Sequence, residues 1–271
     1  MTKDRQPIYS REFKSISATG ACSSRQRDVP AEVGVALVYN GVSYAVMMMS
    51  PMSVEEFVLG FSLSEGIISG PEELMDVEIV PVPDGLLARV TIPDEKFAAL
   101  GHRRRNLAGQ SSCGLCGVED LQAAIRPLAG VGAPPQISVQ SIFKATGTIR
   151  SHQPLNRATG GMHGAAFVDT GGDILLLRED VGRHNAMDKL IGAMLGANLA
   201  PDDGYLLLTS RCSYELVQKA VSVGFSLMVT VSAPTGLAVE LAEEYGLTLV
   251  ALARDDEFLV AHDPHQLFAC H

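Results

Sequence analysis

The sequence predicts an α/β fold, α+β overall, in which a small N-terminal antiparallel unit precedes a larger domain of alternating strands and helices. Two β-hairpin patterns within the first hundred residues indicate the antiparallel unit. From about residue 205, apolar runs typical of strands alternate with helical patterns, which indicates parallel strands joined by crossover helices. With 46% hydrophobic and 19% charged residues over 271 positions, the chain has the composition of a globular protein with a sizeable core.

Charge and cysteine usage limit the possible functions. The formal net charge of −10 argues against a nucleic-acid-binding protein, because phosphate binding needs a basic face. An odd number of scattered cysteines does not resemble a disulfide framework and indicates a reducing compartment. The N-terminus lacks the apolar core of a signal peptide, and no apolar stretch reaches the length of a membrane span. We therefore expect a cytoplasmic protein. The five cysteines are Cys22, Cys113, Cys116, Cys212 and Cys270.

The first 110 residues divide into an arm and a compact unit. Residues 1 to 30 are polar and aperiodic, and we expect a flexible, loosely ordered arm. Residues 31 to 110 form the N-terminal unit, with hairpins at 33 to 48, around Asn40-Gly41, and at 77 to 92. Between the hairpins, the Ser53-Val54-Glu55-Glu56 pattern predicts a helix opened by a capping box. Residues 97 to 112 are predicted to be a mobile connector.

The segment from residue 111 to 135 carries a Cys-x-x-Cys motif, then a helix and a linker. Cys113 and Cys116 can share one reacting atom, one metal ion or one disulfide, and the neighbouring glycines leave the backbone free to expose both sulfurs. Helical spacing of apolar residues from 118 to 128 places Cys116 at a helix N-terminus, which favours a thiolate. The basic run at 102 to 105 would lower the thiol pKa further, whereas the acidic pair at 119 and 120 would raise it.

Residues 136 to 271 are predicted to form the α/β domain. We expect a helix at 138 to 146, a hairpin at 165 to 177 and a helix whose apolar face includes Met187 and Leu190. The remaining elements alternate, with strands at 205 to 209, 227 to 231 and 247 to 252, helices at 214 to 223 and 237 to 245, and a last strand at 258 to 260.

Basic residues follow several of the predicted strands. Arg183 and His184 come after the hairpin, and Arg211 and Arg254 after two of the parallel strands. Because ligands of open α/β sheets bind at the carboxyl ends of the strands, we expect these residues to converge with His163 into an anion site. Such a site would hold phosphates, helped by the N–H groups of helix N-termini. Cys212, in contrast, is predicted to be a small buried apolar residue.

Several motifs together resemble the FdhD family of sulfur carrier proteins needed by formate dehydrogenase. The similarity covers nearly the whole chain from about residue 30. It is carried by the hairpin at 36 to 41 with the helix at 57 to 68, the loop Ser112-Cys113-Gly114-Leu115-Cys116-Gly117, the stretch from 179 to 189, and Ser232-Ala233-Pro234-Thr235.

This resemblance implies a persulfide relay. A cysteine desulfurase would load sulfur onto Cys113, Cys116 would act as an assisting thiol, and the carrier would pass the sulfur to the molybdenum or tungsten bis-guanine-dinucleotide cofactor of formate dehydrogenase. The family's cofactor-binding segment falls on Leu252, Ala253, Arg254, Asp255, Asp256 and Glu257. This chain departs from the family pattern at Asp255 and Glu257, where a glycine and a second basic residue are expected. The resemblance also implies a homodimer and a cytidine-deaminase-like three-layer α/β/α domain.

Three other functions compete with this interpretation. A zinc deaminase would need an H-x-E motif before its P-C-x-x-C motif, whereas here the cysteines precede His163 and no glutamate follows it. A thiol–disulfide oxidoreductase would need the Cys-x-x-Cys motif directly after the first strand of a βαβ unit. A non-catalytic chaperone of formate dehydrogenase or its cofactor would not need Cys113 at all.

Overall fold

The computed structural model describes residues 6–107 and 128–268, with the backbone alone over 101–107. Helices and strands are mixed along the chain, so the predicted α/β class is confirmed. No helix in these two ranges is both long enough and apolar enough to cross a bilayer.

The N-terminal hairpin is the first difference from the sequence prediction. Strands β1 (Ile8–Ile16) and β2 (Cys22–Pro30) pair antiparallel over their whole length, so the expectation of a loosely ordered arm is wrong from residue 8 onwards. None of the side chains of the two strands is buried and most are exposed, which explains why their sequence lacks the apolar alternation of a half-buried strand.

The first sheet confirms both predicted hairpins. Strands β3 (Val33–Tyr39) and β4 (Val42–Met49) turn at Asn40 and Gly41, which both have positive φ, and β5 (Asp76–Val82) pairs with β6 (Gly85–Thr91). The sheet order is β4-β3-β6-β5. Since β3 and β6 run parallel, the unit is a mixed sheet instead of the purely antiparallel one that we predicted.

Two helices belong to this unit. Helix α1 (Val54–Ser64) packs its apolar side on the sheet, but Ser53 adopts the left-handed conformation and caps nothing, so the predicted capping box does not form. Helix α2 (Asp94–Leu107) occupies most of the stretch that we predicted to be a mobile connector. That connector prediction is wrong up to residue 107.

The second sheet contains six strands in the order β12-β11-β10-β9-β7-β8. Strands β9, β10 and β11 are parallel, as the alternating pattern predicted, and the other three are antiparallel to their neighbours. The strands are β7 (His163–Asp169), β8 (Ile174–Asp180), β9 (Gly204–Leu208), β10 (Leu227–Thr230), β11 (Thr248–Ala251) and β12 (Leu259–His262).

Helices cover both faces of this sheet. One face packs on α5, α6 and α7, and the other on α3, which gives three layers. All the helices predicted in this half are present, whereas the short α4 was not predicted. The helices are α3 (Val139–Thr148), α4 (Pro154–Thr159), α5 (Arg183–Gly196), α6 (Tyr214–Ser222) and α7 (Gly236–Tyr245).

The two units touch through glycines on α1 and α5. A Cβ atom added at Gly60 would lie 1.8 Å from the carbonyl oxygen of Asp188, and one at Gly192 would lie 2.0 Å from that of Glu56. The two helix backbones therefore approach each other at a distance that only glycine permits.

Candidate functional site

The strand ends that the sequence singled out lie along one edge of the second sheet. The start of β7 pairs with the end of β8, since His163 lies opposite Asp180. Next to them, the Thr209 N–H after β9 donates to the Gly164 carbonyl at 3.0 Å. Further along, Cys212 forms a bridge to Pro234 after β10. This edge therefore carries the carboxyl ends of the parallel strands. We call it the basic edge, because the predicted residues Arg183, Arg211 and Arg254 follow strands that end there.

A buried carboxylate fixes the turn that follows β8. Asp180 accepts hydrogen bonds from the Lys189 ammonium at 2.5 Å, from the Ser50 N–H at 3.0 Å and from the Gly182 N–H at 2.8 Å. Asn185 donates to the same carboxylate and to the Met48 carbonyl. Because Asp180 and Lys189 are both fully buried, the pair holds the turn in one conformation and joins it to the end of β4.

Arg183 opens helix α5 beside this carboxylate. The N-cap of α5 is Gly182, which has no side chain to accept hydrogen bonds from the first N–H groups of the helix. A Cβ at Gly182 would lie 2.7 Å from the Asn185 amide nitrogen, so the Asp180–Asn185 contact requires glycine there. The Arg183 Nε atom is buried and has no hydrogen-bond partner among the described residues. An unpaired buried donor costs free energy that an acceptor such as a bound anion would recover.

His184 is the next residue of the helix and lies in a largely enclosed position. Burial lowers its pKa to about 4, assisted by the positive charge of Arg183 and opposed by Glu215. Its Nε2 atom lies 3.4 Å from the Ser213 hydroxyl and 3.8 Å from a Glu215 carboxylate oxygen. The imidazole is therefore neutral near pH 7 and adds no charge to the basic edge.

His163, at the start of β7, is close enough to two of the predicted arginines for their charges to affect it. Burial lowers its pKa, and the charges of Arg183 and Arg211 act in the same direction, whereas Asp180 opposes them. His163, Arg183 and Arg211 therefore lie within electrostatic range of one another at this end of the edge. The positive charge at this end of the edge comes from the two guanidinium groups.

Cys212 follows Arg211 and has the environment that we predicted for it. The side chain is fully buried in the apolar cluster below α6, and burial raises its thiol pKa to about 12. The residue is a protonated, packed thiol and not a nucleophile.

The segment from residue 252 to 257 forms a tight exposed turn after β11. Leu252 has a positive φ of 51° and donates its N–H to the Ser232 carbonyl, and the Arg254 N–H donates to the Glu257 carbonyl at 2.9 Å. Ala253 is buried, whereas the four residues after it are exposed.

This turn is not in contact with the group around His163. In the sheet order, β11 is three strand spacings from β7, which corresponds to about 14 Å. Within the described ranges, no hydrogen bond or ion pair joins Arg254 to His163, Arg183, His184 or Arg211. The predicted site residues therefore form two groups along the basic edge.

Sequence reasoning missed the residues that support the site. Ser50, Asp180, Asn185 and Lys189 form its buried base, and Ser50 comes from the other unit, 130 residues from Asp180. The available signal was Lys189, a charged residue in the middle of a helix whose other central residues are mostly apolar.

The motif predicted to carry the chemistry, Cys113 and Cys116, lies outside the described residues, as do the helix predicted from residue 118 and Cys270. The chain next to this gap is anchored on the second domain, where Leu128 packs on the apolar cluster and the Val131 N–H donates to the Tyr245 carbonyl. Across the described ranges, no three His, Cys, Asp or Glu side chains are grouped to hold a metal ion.

Comparison with known proteins gives consistent results. The model of the FdhD/NarQ family matches residues 30–268. A relative from Xanthomonas euvesicatoria, named "Sulfur carrier protein FdhD", is 44% identical over 248 residues, which cover 92% of this chain and 88% of the relative. A protein of the same name from Bordetella bronchiseptica is 41% identical over 241 residues, covering 89% and 87% of the two chains.

A solved structure shares the fold. It is a protein from Desulfotalea psychrophila, described as a formate dehydrogenase accessory protein, with a TM-score of 0.76 and 23% identity. The match covers 96% of this chain and 99% of the other. From the family match over residues 30–268 and relatives above 40% identity, we conclude that this chain belongs to the FdhD/NarQ family.

Proposed function

We propose that the protein is a sulfur carrier that serves formate dehydrogenase. It takes sulfur from a cysteine desulfurase as a persulfide on Cys113 and transfers it to the molybdenum or tungsten bis-guanine-dinucleotide cofactor, acting as a sulfurtransferase. The observation that carries the proposal is the Cys113/Cys116 pair in a chain of this family, whose relatives are named sulfur carrier proteins.

Loading is a thiol exchange at sulfur. The Cys113 thiolate attacks the outer sulfur of the donor persulfide, whose S–S bond breaks. The donor cysteine leaves as a thiolate, and the new S–S bond is on Cys113. Cys113 is the acceptor in this proposal because the family resemblance assigns it the persulfide, whereas Cys212, which lies at the basic edge, is buried and protonated.

Release requires two electrons, since the outer sulfur of a persulfide must become sulfide. Cys116 supplies them when its thiolate attacks the inner sulfur of the Cys113 persulfide. A Cys113–Cys116 disulfide forms, and the outer sulfur leaves as hydrosulfide with the electron pair of the broken bond. A cellular dithiol must then reduce the disulfide before the next cycle.

The basic edge supports the second half of the proposal, in which the cofactor is the substrate. Its guanine dinucleotides carry pyrophosphate groups, which suit the guanidinium groups of Arg183 and Arg211 and the free N–H groups at the start of α5. Arg254 adds a third cation at the turn after β11, although Asp255, Asp256 and Glu257 surround it with negative charge. We therefore assign the main phosphate contacts to Arg183 and Arg211, with the neutral His163 and His184 as hydrogen-bonding neighbours.

Intact-protein mass spectrometry after incubation with a cysteine desulfurase and cysteine tests the proposal. Wild type should gain one sulfur atom, removable by reductant, and Cys113→Ala should gain none. Cys22→Ser, which changes an exposed cysteine far from the basic edge, should load like wild type.

Activation of formate dehydrogenase by the same variants separates the carrier from a non-catalytic chaperone. A carrier loses activation with Cys113→Ala, whereas a chaperone retains it. Loading of Cys113→Ala equal to that of wild type would contradict the assignment of the acceptor.

A further inference from the structure

The N-terminal hairpin has two faces of different chemistry. Because side chains alternate along a strand and the register sets Phe13 opposite Arg25, one face collects aromatic and basic residues. We name this the arginine–aromatic face, and it consists of Tyr9, Arg11, Phe13, Arg25, Arg27 and Val29. The opposite face has no aromatic residue and is mixed in charge: it carries Glu12, Lys14 and Asp28 beside the exposed Ile16.

The arginine–aromatic face has no counter-charge of its own. Arg11 lies directly opposite Arg27 across the two strands, an arrangement of like charges that destabilises a sheet pair. Within the described ranges, none of the ion pairs involves Arg11, Arg25 or Arg27. Arg27 donates to the Thr159 carbonyl, which anchors the base of the hairpin, whereas Arg11 lies over the ring of Tyr9.

The same face exposes large apolar surfaces. The side chains of Tyr9 and Phe13 are 40% and 46% exposed, and both strands have a free edge because the sheet has only two strands. A lone two-stranded hairpin is marginally stable in water, and free strand edges favour pairing with another chain. Tyrosine and arginine are also the residues most enriched at the energetic centres of protein interfaces.

From these features we propose that the arginine–aromatic face of the hairpin docks on an acidic surface of a second copy of this chain. The hairpin carries four basic and two acidic side chains, so the excess of acidic residues behind the net charge of −10 lies in the rest of the chain. The body of a second copy thus has the complementary charge, whereas a nucleic acid would be repelled by it.

The size and symmetry of such a contact are also suitable. Six residues form the arginine–aromatic face, and a standard interface uses about 20–30 residues on each side, so in a reciprocal contact the acidic surface of each copy supplies the remaining residues. If each copy docks its hairpin on the other, the contact closes with two-fold symmetry. The family resemblance implies a homodimer without saying which surface forms it, and the hairpin supplies that surface.

Sedimentation velocity over a concentration series tests this assignment. Reductant must be present, since Cys22 at the start of β2 is exposed and can form disulfides between chains. Wild type should dimerise, and Phe13→Ser and Arg25→Glu should each weaken dimerisation about tenfold or more. The controls are Ile16→Ser and Lys14→Glu, which make the same kinds of change on the opposite face of β1 and should leave the dimerisation constant within about twofold.

Hydrogen exchange gives a second, independent readout. Amides of residues 8 to 30 should exchange more slowly at concentrations where the dimer forms than where it dissociates. Three results would overturn the proposal: a monomer at every concentration, a dimer whose constant responds equally to both faces, or a dimer whose formation leaves exchange in the hairpin unchanged. Binding of single-stranded DNA that is lost in Arg25→Glu would assign the face to a nucleic acid instead and would also overturn it.

Discussion

Replacing His184 by glutamine should change how the stability of the protein depends on pH. In the folded protein, burial and the neighbouring Arg183 lower the His184 pKa to about 4, from about 6.5 in an unfolded chain. The folded state therefore binds this proton less tightly than the unfolded state does. The stability contributed by His184 is complete above pH 6.5 and is lost as the pH falls towards 4.

The magnitude follows from the pKa difference. Between pH 7.5 and 4.5, a shift from about 6.5 to about 4 corresponds to about 2.5 kcal/mol of unfolding free energy. Since the side chain is 32% exposed, solvent screening reduces the expected value to about 2 kcal/mol. Glutamine does not titrate in this range, so the variant should not lose this unfolding free energy between pH 7.5 and 4.5.

Titration of Asp188 changes the stability in the opposite direction to that of His184. The effect of His184 must therefore be measured as a difference between the variant and wild type. Burial raises its pKa to about 6, so the folded state binds this proton more tightly and gains stability as the pH falls from 6 to about 4. In wild type the two effects partly cancel. In His184→Gln the contribution of His184 is absent, while those of Asp188 and the other titrating groups remain as in wild type, so the variant should become more stable relative to wild type as the pH falls.

Urea unfolding of both proteins at pH 7.5 and 4.5 measures this effect as a difference of differences. The substitution also removes packing contacts and hydrogen bonds that glutamine does not reproduce, but this loss of unfolding free energy is the same at both pH values. Subtracting the variant–wild type difference at pH 7.5 from that at pH 4.5 therefore leaves the protonation effect of about 2 kcal/mol. Ser213→Ala is the control, because it removes the hydrogen bond to His184 and keeps the titrating ring. A residual difference below about 0.5 kcal/mol, or an NMR titration midpoint for His184 above pH 6, would refute this reasoning.

Two further variants probe the contact between the units. Lys219→Met should lower the unfolding free energy by about 3–5 kcal/mol in urea titrations, because it leaves the buried Asp188 carboxylate, 3.0 Å from the ammonium, without its counter-charge. A Lys219→Met/Asp188→Leu double variant less stable than Lys219→Met would contradict that explanation. Gly192→Ala should cost at least about 1–3 kcal/mol, because the new methyl group would lie 2.0 Å from the Glu56 carbonyl oxygen. Gly196→Ala, at the end of the same helix with open space around it, should leave the melting temperature unchanged or raise it.

Features with a local cause were predictable from the sequence. The turn at Asn40 and Gly41 needs two residues that tolerate positive φ, and helix α7 ends at Gly246, which adopts the left-handed conformation. The alternation of strands β9 to β11 with α6 and α7 was also predictable, because it depends on the spacing of apolar residues along the sequence.

Features set by distant contacts were not predictable. Ser53 adopts the left-handed conformation and does not cap α1, and the Glu56 carboxylate instead binds Arg178, 122 residues away. The Asp180 carboxylate is likewise satisfied by Ser50 from the other unit. The N-terminal hairpin escaped prediction for a different reason: no face of it is buried against the body, so its sequence carries no apolar alternation.

These long-range contacts also bear on the proposed sulfur transfer. Helix α2, which packs on the first unit through Leu100, precedes Cys113 in the sequence, and Leu128, which packs on the second domain, follows it. The Asp180–Ser50 bond and the α1–α5 contact hold these two units together through buried groups. Leu100 and Leu128, which lie on either side of the cysteine segment in the sequence, are thus held in units whose relative position is fixed. We infer that sulfur transfer to a cofactor bound at Arg183 and Arg211 proceeds without separation of the two units, because separating them would break the hydrogen bonds of Ser50 to Asp180 and Lys189 and undo the close packing of α1 on α5.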